Sequence, residues 1–86
     1  MLSLNDCIHF SDLTPAEVDA LAEHEHIDDI LACELGRKLV SSPQGCQQVL
    51  KYLAENIENA ENHQDVARSY QLHKVINEFA EQHHFI

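Results

Sequence analysis

Tryptophan is absent, and glycine and proline occur only twice each in a chain of 86 residues. Many short strands would need turn residues between them, so this scarcity favours a few long helices. The three cysteines, Cys7, Cys33 and Cys46, stand far apart with no Cys-x-x-Cys pair. That excludes a disulfide framework and fits a reducing cytoplasm. Cys33 and Cys46 fall within apolar helical patterns and read as small buried hydrophobes.

Basic residues are equally sparse. Residues 1–36 contain no Lys or Arg but nine acids (Asp6, Asp12, Glu17, Asp19, Glu23, Glu25, Asp28, Asp29 and Glu34). Residues 37–86 hold six acids and five bases, and the whole chain carries a formal charge of -10. A nucleic-acid binder needs the opposite sign, because phosphate contact is made by Lys and Arg. The same logic argues against an anionic membrane surface. The acidic half suits solubility, a cation or a basic protein surface. No stretch approaches the roughly 20 apolar residues of a membrane span. Residues 1–10 lack the basic start and sustained apolar run of a signal peptide. A soluble, cytoplasmic protein is expected, with no nucleic acid and no membrane among its partners.

What is present points to one helical domain over residues 1–86. Hydrophobic residues make up 44% of the chain, which argues against disorder. A chain this short buries only roughly two-thirds of its unfolded surface, so its core is modest. The most specific local signal is Leu13-Thr14-Pro15-Ala16-Glu17-Val18. Thr14 caps the first free amides, Pro15 fits the first helical position, and Glu17 reaches back to close a capping box. Leu13 and Val18 stand where a hydrophobic staple would hold the entry.

That helix runs into Glu23-His24-Glu25-His26, where no glycine or proline marks an end. Ile27, Ile30, Leu31, Leu35 and Leu39 then recur at helical spacing. Asp28 and Asp29 suit the start of this second helix, and Arg37 and Lys38 suit its end. Ser42-Pro43 opens a third helix with the apolar stripe Cys46, Val49, Leu50, Leu53, Ala54, Ile57 and Ala60. The polar residues 59–64 read as a turn. A last helix follows from about Asp65, with Val66, Tyr70, Ile76, Phe79 and Ala80 expected to face inward and His73 in the same stripe. Gly36, inside a helix, indicates close helix packing. The expected fold class is all-α: a small compact bundle of three to four helices, completed within the chain or by dimerisation. Residues 1–12 form an arm or a short helix.

Histidine is the anomaly of composition, at seven in this length: His9, His24, His26, His63, His73, His83 and His84. It is a common metal ligand and the side chain that titrates nearest neutral pH. Two Glu-x-x-His pairs, Glu23 with His26 and Glu81 with His84, have the spacing that puts carboxylate and imidazole on one helix face. Glu34 is a third candidate ligand if it points inward, and Glu55 or Glu58 a fourth. Such a set suits iron, manganese or zinc. In an up-down-up-down bundle, however, the two pairs lie at opposite ends. Histidines in a last helical turn also have an ordinary role beside the helix dipole.

No glycine-rich loop is present to cradle phosphate, and Ser41-Ser42-Pro43 is a helix cap rather than a nucleophile elbow. An autonomous enzyme is not expected, nor is a cofactor. The expected function is a small acidic helical interaction module that self-associates as a homo-oligomer. Leu35, Leu39, Val40 and the face from Tyr70 to Phe79 are candidates for its interface, and the acidic half is open to a basic partner. The alternative is a site for a divalent transition metal at Glu23, His24, His26 and Glu34. A third reading is a pH switch, since protonating all seven histidines would take the formal charge from -10 to -3.

Overall fold

Four helices begin at a residue whose side chain accepts from the backbone of the helix's own first turn. The computed structural model describes residues 4–9 and 13–83, the side chains of Asn5 and His9 excepted. It contains α1 (Leu4–His9), α2 (Pro15–Glu25), α3 (Asp29–Leu39), α4 (Pro43–Asn62) and α5 (Val66–Gln82), and no strand among the described residues. The all-α class is as expected. Among the described residues the helices number five rather than three to four, residues 4–9 forming a short helix of their own.

The capping box at the start of α2 is complete. Thr14 Oγ1 accepts from the Glu17 amide at 3.2 Å, and Glu17 Oε1 accepts from the Thr14 amide at 2.9 Å. Leu13 and Val18 are both buried, as a hydrophobic staple requires. Asp28, Ser42 and Asp65 cap α3, α4 and α5 in the same way. Cys7, Cys33 and Cys46 are all buried.

The break after α2 falls at His26, which adopts the left-handed conformation with φ 56° and ψ 44°. Its amide and that of Ile27 both turn back to the Ala22 carbonyl, closing the helix end without glycine. Gln64 does the same after α4: its φ is 56°, and the amides of Gln64 and Asp65 bond to the carbonyls of Glu61 and Ala60. The full pattern is a Schellman motif.

The chain direction alternates. Arg68, near the start of α5, reaches Asp19 and Glu23 near the end of α2. Leu13 and Thr14, at the start of α2, line one depression with Gln82 and His83 at the end of α5. Thus α2 and α4 run one way, and α3 and α5 the other. The central pair is α2 with α4. On one flank α3 packs on both, with α1 laid against it; on the other flank α5 packs chiefly on α4 and also on α2. The result is a slab with Cα extents of 39 × 31 × 17 Å, in which each flanking helix keeps an outer face.

The core comprises Val18, Leu21, Ala32, Cys33, Val49, Leu53, Leu72 and Phe79 with their buried neighbours. Gly36 belongs to it: a methyl group there would overlap Leu13 and press on Leu21. Two expected stripes are corrected. In α4, Ala54 is exposed and Asn56 takes the inward position, donating from Nδ2 to the Ala20 carbonyl at 2.9 Å. In α5 the buried residues are Leu72, Val75 and Phe79, with Ile76 half-buried; Val66, Tyr70, His73 and Ala80 face out. At about 100° per residue, Tyr70 projects about 160° away from Leu72, so one face cannot hold both.

Candidate functional site

The end of α2 carries His24 and His26 and meets α4 along its middle, at Tyr52 and Glu55. His24 sits in the last turn of α2 and is half-buried. Its ring stacks on Tyr52 of α4 with centroids 4.3 Å apart. Nε2 donates to Glu55 Oε1 at 2.8 Å, while Nδ1 lies 3.4 Å from Glu25 and has no hydrogen-bond partner among the described residues. The stack and the hydrogen bond hold one imidazole between two central helices.

On the same helix, Asp19 and Glu23, four residues apart, share Arg68. Its Nη2 lies 3.4 Å from Asp19 Oδ2 and also bonds Glu23 Oε2. Nη1 reaches Gln71 at 3.5 Å. The carboxylates are largely solvated, so each pair contributes at most about 1 kcal/mol. Their main effect is orientation: they fix α5 against the end of α2. Arg68 is half-buried.

The four sequence-derived metal candidates therefore have separate fates. Glu23 pairs with Arg68, and His24 pairs with Glu55. His26 is exposed, committed to the turn by its backbone. Glu34 does not point inward; it is exposed on the outer face of α3. Glu58 and Glu81 are also exposed, and His84 lies outside the described residues. Among the described residues, no group of three or more His, Cys, Asp or Glu is placed to hold a metal ion. No described helix is long and apolar enough to cross a membrane.

At the opposite end, Glu17 is almost wholly buried, and its Oε2 has no hydrogen-bond partner among the described residues. Burial pushes its carboxyl above the ordinary value of 4.5. The Thr14 amide and His83 pull it back down, and Glu78 pushes it up. His83 stacks on Phe79 at 4.3 Å and its Nδ1 lies 3.2 Å from the Phe79 carbonyl oxygen. Burial also pushes the Cys46 thiol up, away from the thiolate that nucleophilic chemistry uses.

The other surface feature is apolar. Val66 and Tyr70, one turn apart on α5, are 78% and 75% exposed. Beside Val66, the α4–α5 turn has an open depression of about 570 Å³ lined by Glu61, Gln64, Asp65, Val66 and Ser69. On the opposite flank, Leu31 of α3 is 51% exposed and Ile30 37%. Of the interface residues expected from sequence, Leu39 and Val40 pack partly against the core and Leu35 is half-buried. Phe79 is enclosed within the chain, leaving only the Tyr70 end of that face outside.

Sequence reasoning missed Asn56, Tyr52 and Arg68. Asn56 was legible as an inward position, since Val49, Leu53, Asn56 and Ala60 recur at spacings of four, three and four. The partners of Tyr52 and Arg68 lie on another helix, and no local pattern carries them. No protein-family model matches the chain, and no curated protein or solved structure is significantly similar to it.

Proposed function

We propose that this protein is a small helical interaction module that self-associates. The observation that carries the proposal is the exposed pair Val66 and Tyr70. These are large apolar side chains on adjacent turns of one helix, in a chain whose other long apolar residues on α5 are at least half-buried. Covering a side chain of this kind fully is worth about 1.5–3 kcal/mol. A domain with so small a core gains stability by pairing such surfaces. The charge of -10 favours partners that are basic or locally complementary over nonspecific contact with acidic surfaces.

Sedimentation velocity across a concentration series tests self-association. The expected result is a sedimentation coefficient that rises with concentration and stays at the monomer value in Val66→Ser/Tyr70→Ser. A monomer at every concentration overturns the proposal. The competing reading is a metal site on Glu23, His24, His26 and Glu34. Near-stoichiometric iron, manganese or zinc retained through gel filtration, and lost in His26→Ala, would favour that site instead.

A further inference from the structure

The outer faces of α3 and α5 carry the same pattern with opposite signs. On α3, Ile30, Glu34 and Lys38 follow one another at intervals of four and are exposed. On α5, Tyr70, Lys74 and Glu78 do the same. Residues four apart share a helix face, so each trio forms a row: apolar, acidic, basic on α3, and apolar, basic, acidic on α5. The rows lie on opposite flanks of the slab, and packing of α1 on α3 leaves the α3 row open.

The fold also sets their direction. Both helices run opposite to the central pair. Near their ends, residues 40–43 and Cys46 line a depression together with Gln82 and His83, so α3 and α5 finish close to one another. A second copy whose α5 lies along α3 in the same direction, with Tyr70 at Ile30, sets Lys74 against Glu34 and Glu78 against Lys38. On α3 the contact falls at an open depression of about 500 Å³ lined by Glu34, Arg37, Lys38 and Ser41, which adds a second cation opposite Glu78.

Building on the self-association proposed above, we propose that copies of this chain join side by side and in parallel. The row Ile30, Glu34, Lys38 of one copy packs on the row Tyr70, Lys74, Glu78 of the next. The antiparallel arrangement is disfavoured, because it keeps Glu34 on Lys74 but sets Ile30 against Glu78 and Lys38 against Tyr70. The contact uses two different surfaces, so each copy in a pair still offers one of each. Assembly therefore continues past the dimer, closing into a ring or running on as a chain. The complementary pairs act at contact distance, while the repulsion between acidic copies is long-ranged and screened by salt within about 10 Å at 0.1 M.

Charge reversal tests the register by sedimentation equilibrium at 0.1 M salt, with circular dichroism to confirm folding. Glu34→Lys and Lys74→Glu, each alone, are expected to weaken association at least about tenfold, or by about 1.4 kcal/mol. An equimolar mixture of the two variants, and the double variant Glu34→Lys/Lys74→Glu, are expected to associate again. Rescue on mixing separates this contact from the intrahelical pairs that Glu34–Lys38 and Lys74–Glu78 can form, which mixing cannot restore. A wild type that associates while both single reversals leave its affinity unchanged overturns the register and leaves self-association standing. Loss without rescue on mixing overturns it as well. A wild type that never associates overturns both proposals.

Discussion

The Asn56 side chain donates a 2.9 Å hydrogen bond to the Ala20 carbonyl, joining the two central helices through a contact that neither backbone makes alone. Asn56 is buried among apolar neighbours, where an amide without a partner is costly. Asn56→Ala is expected to lower unfolding stability by about 1–3 kcal/mol. Asn56→Asp is expected to lose more at neutral pH and to recover part of it in acid, since an ionised acceptor would face a carbonyl. Urea denaturation at pH 7 and pH 4 reads both effects. Equal stability of wild type and Asn56→Ala would show that the bond adds nothing.

His26 holds a left-handed backbone conformation that costs a residue with a Cβ about 1–2 kcal/mol. Glycine removes that cost but gains freedom in the unfolded chain. His26→Gly is expected to raise stability by about 0.5–1 kcal/mol, and His26→Val to lower it, as judged by thermal melts. For a domain of this size such a gain corresponds to a few degrees. A lower melting temperature in His26→Gly would mean that the imidazole contributes more than the backbone conformation costs.

Gly36→Ala reverses the usual sign of its substitution. In an exposed helix interior, alanine is better than glycine by about 1 kcal/mol. At Gly36 the added methyl group meets Leu13 and Leu21, and a loss of about 1–3 kcal/mol is expected instead. Leu13→Val removes the overlapping methyl, so the pair Gly36→Ala/Leu13→Val should lose less than the sum of its single changes. Strict additivity in denaturant melts would place the clash elsewhere.

Glu17 has a raised pKa when folded, so the folded state binds its proton more tightly than the unfolded chain does. Its contribution is fully present below the unfolded value of 4.5 and is lost as pH rises through the folded pKa. Glu17→Gln keeps an oxygen for the Thr14 amide and cannot ionise. The variant and wild type should melt together at pH 4, and the variant should melt higher at pH 7. A difference in melting temperature that does not change with pH would remove the linkage.

The local devices were readable one residue at a time. Thr14, Pro15 and Glu17 announced α2, Asp28 lies one residue before α3, and Ser42 and Pro43 announced α4. Each acts within one turn of its own helix, where sequence neighbours are spatial neighbours. The end of α2 was not readable. His26 takes the left-handed form because Ile27 and α3 must fold back onto α2, a demand that comes from packing. The inward face of α5 was misplaced for a related reason: Val66 and Tyr70 carry the hydrophobicity of core residues, but burying Leu72, Val75 and Phe79 turns that side out. The candidate metal ligands, close in sequence or suggestive in spacing, were distributed among Arg68, Glu55, a turn and an outer face.

The sequence by itself determined the helical class, most of the helix starts, the acidity and the buried cysteines, because composition and i, i+3, i+4 spacing act locally. Only the tertiary structure decided which helix faces stay open and which charges meet. That depends on α2 and α4 taking the centre, with α3 and α5 parallel on opposite flanks. The pairing of His24 with Glu55, of Arg68 with Glu23 and of Asn56 with Ala20 crosses more than 30 residues of chain. Such contacts form only once the apolar stripes have chosen one another, and no spacing rule within a single helix can anticipate that choice.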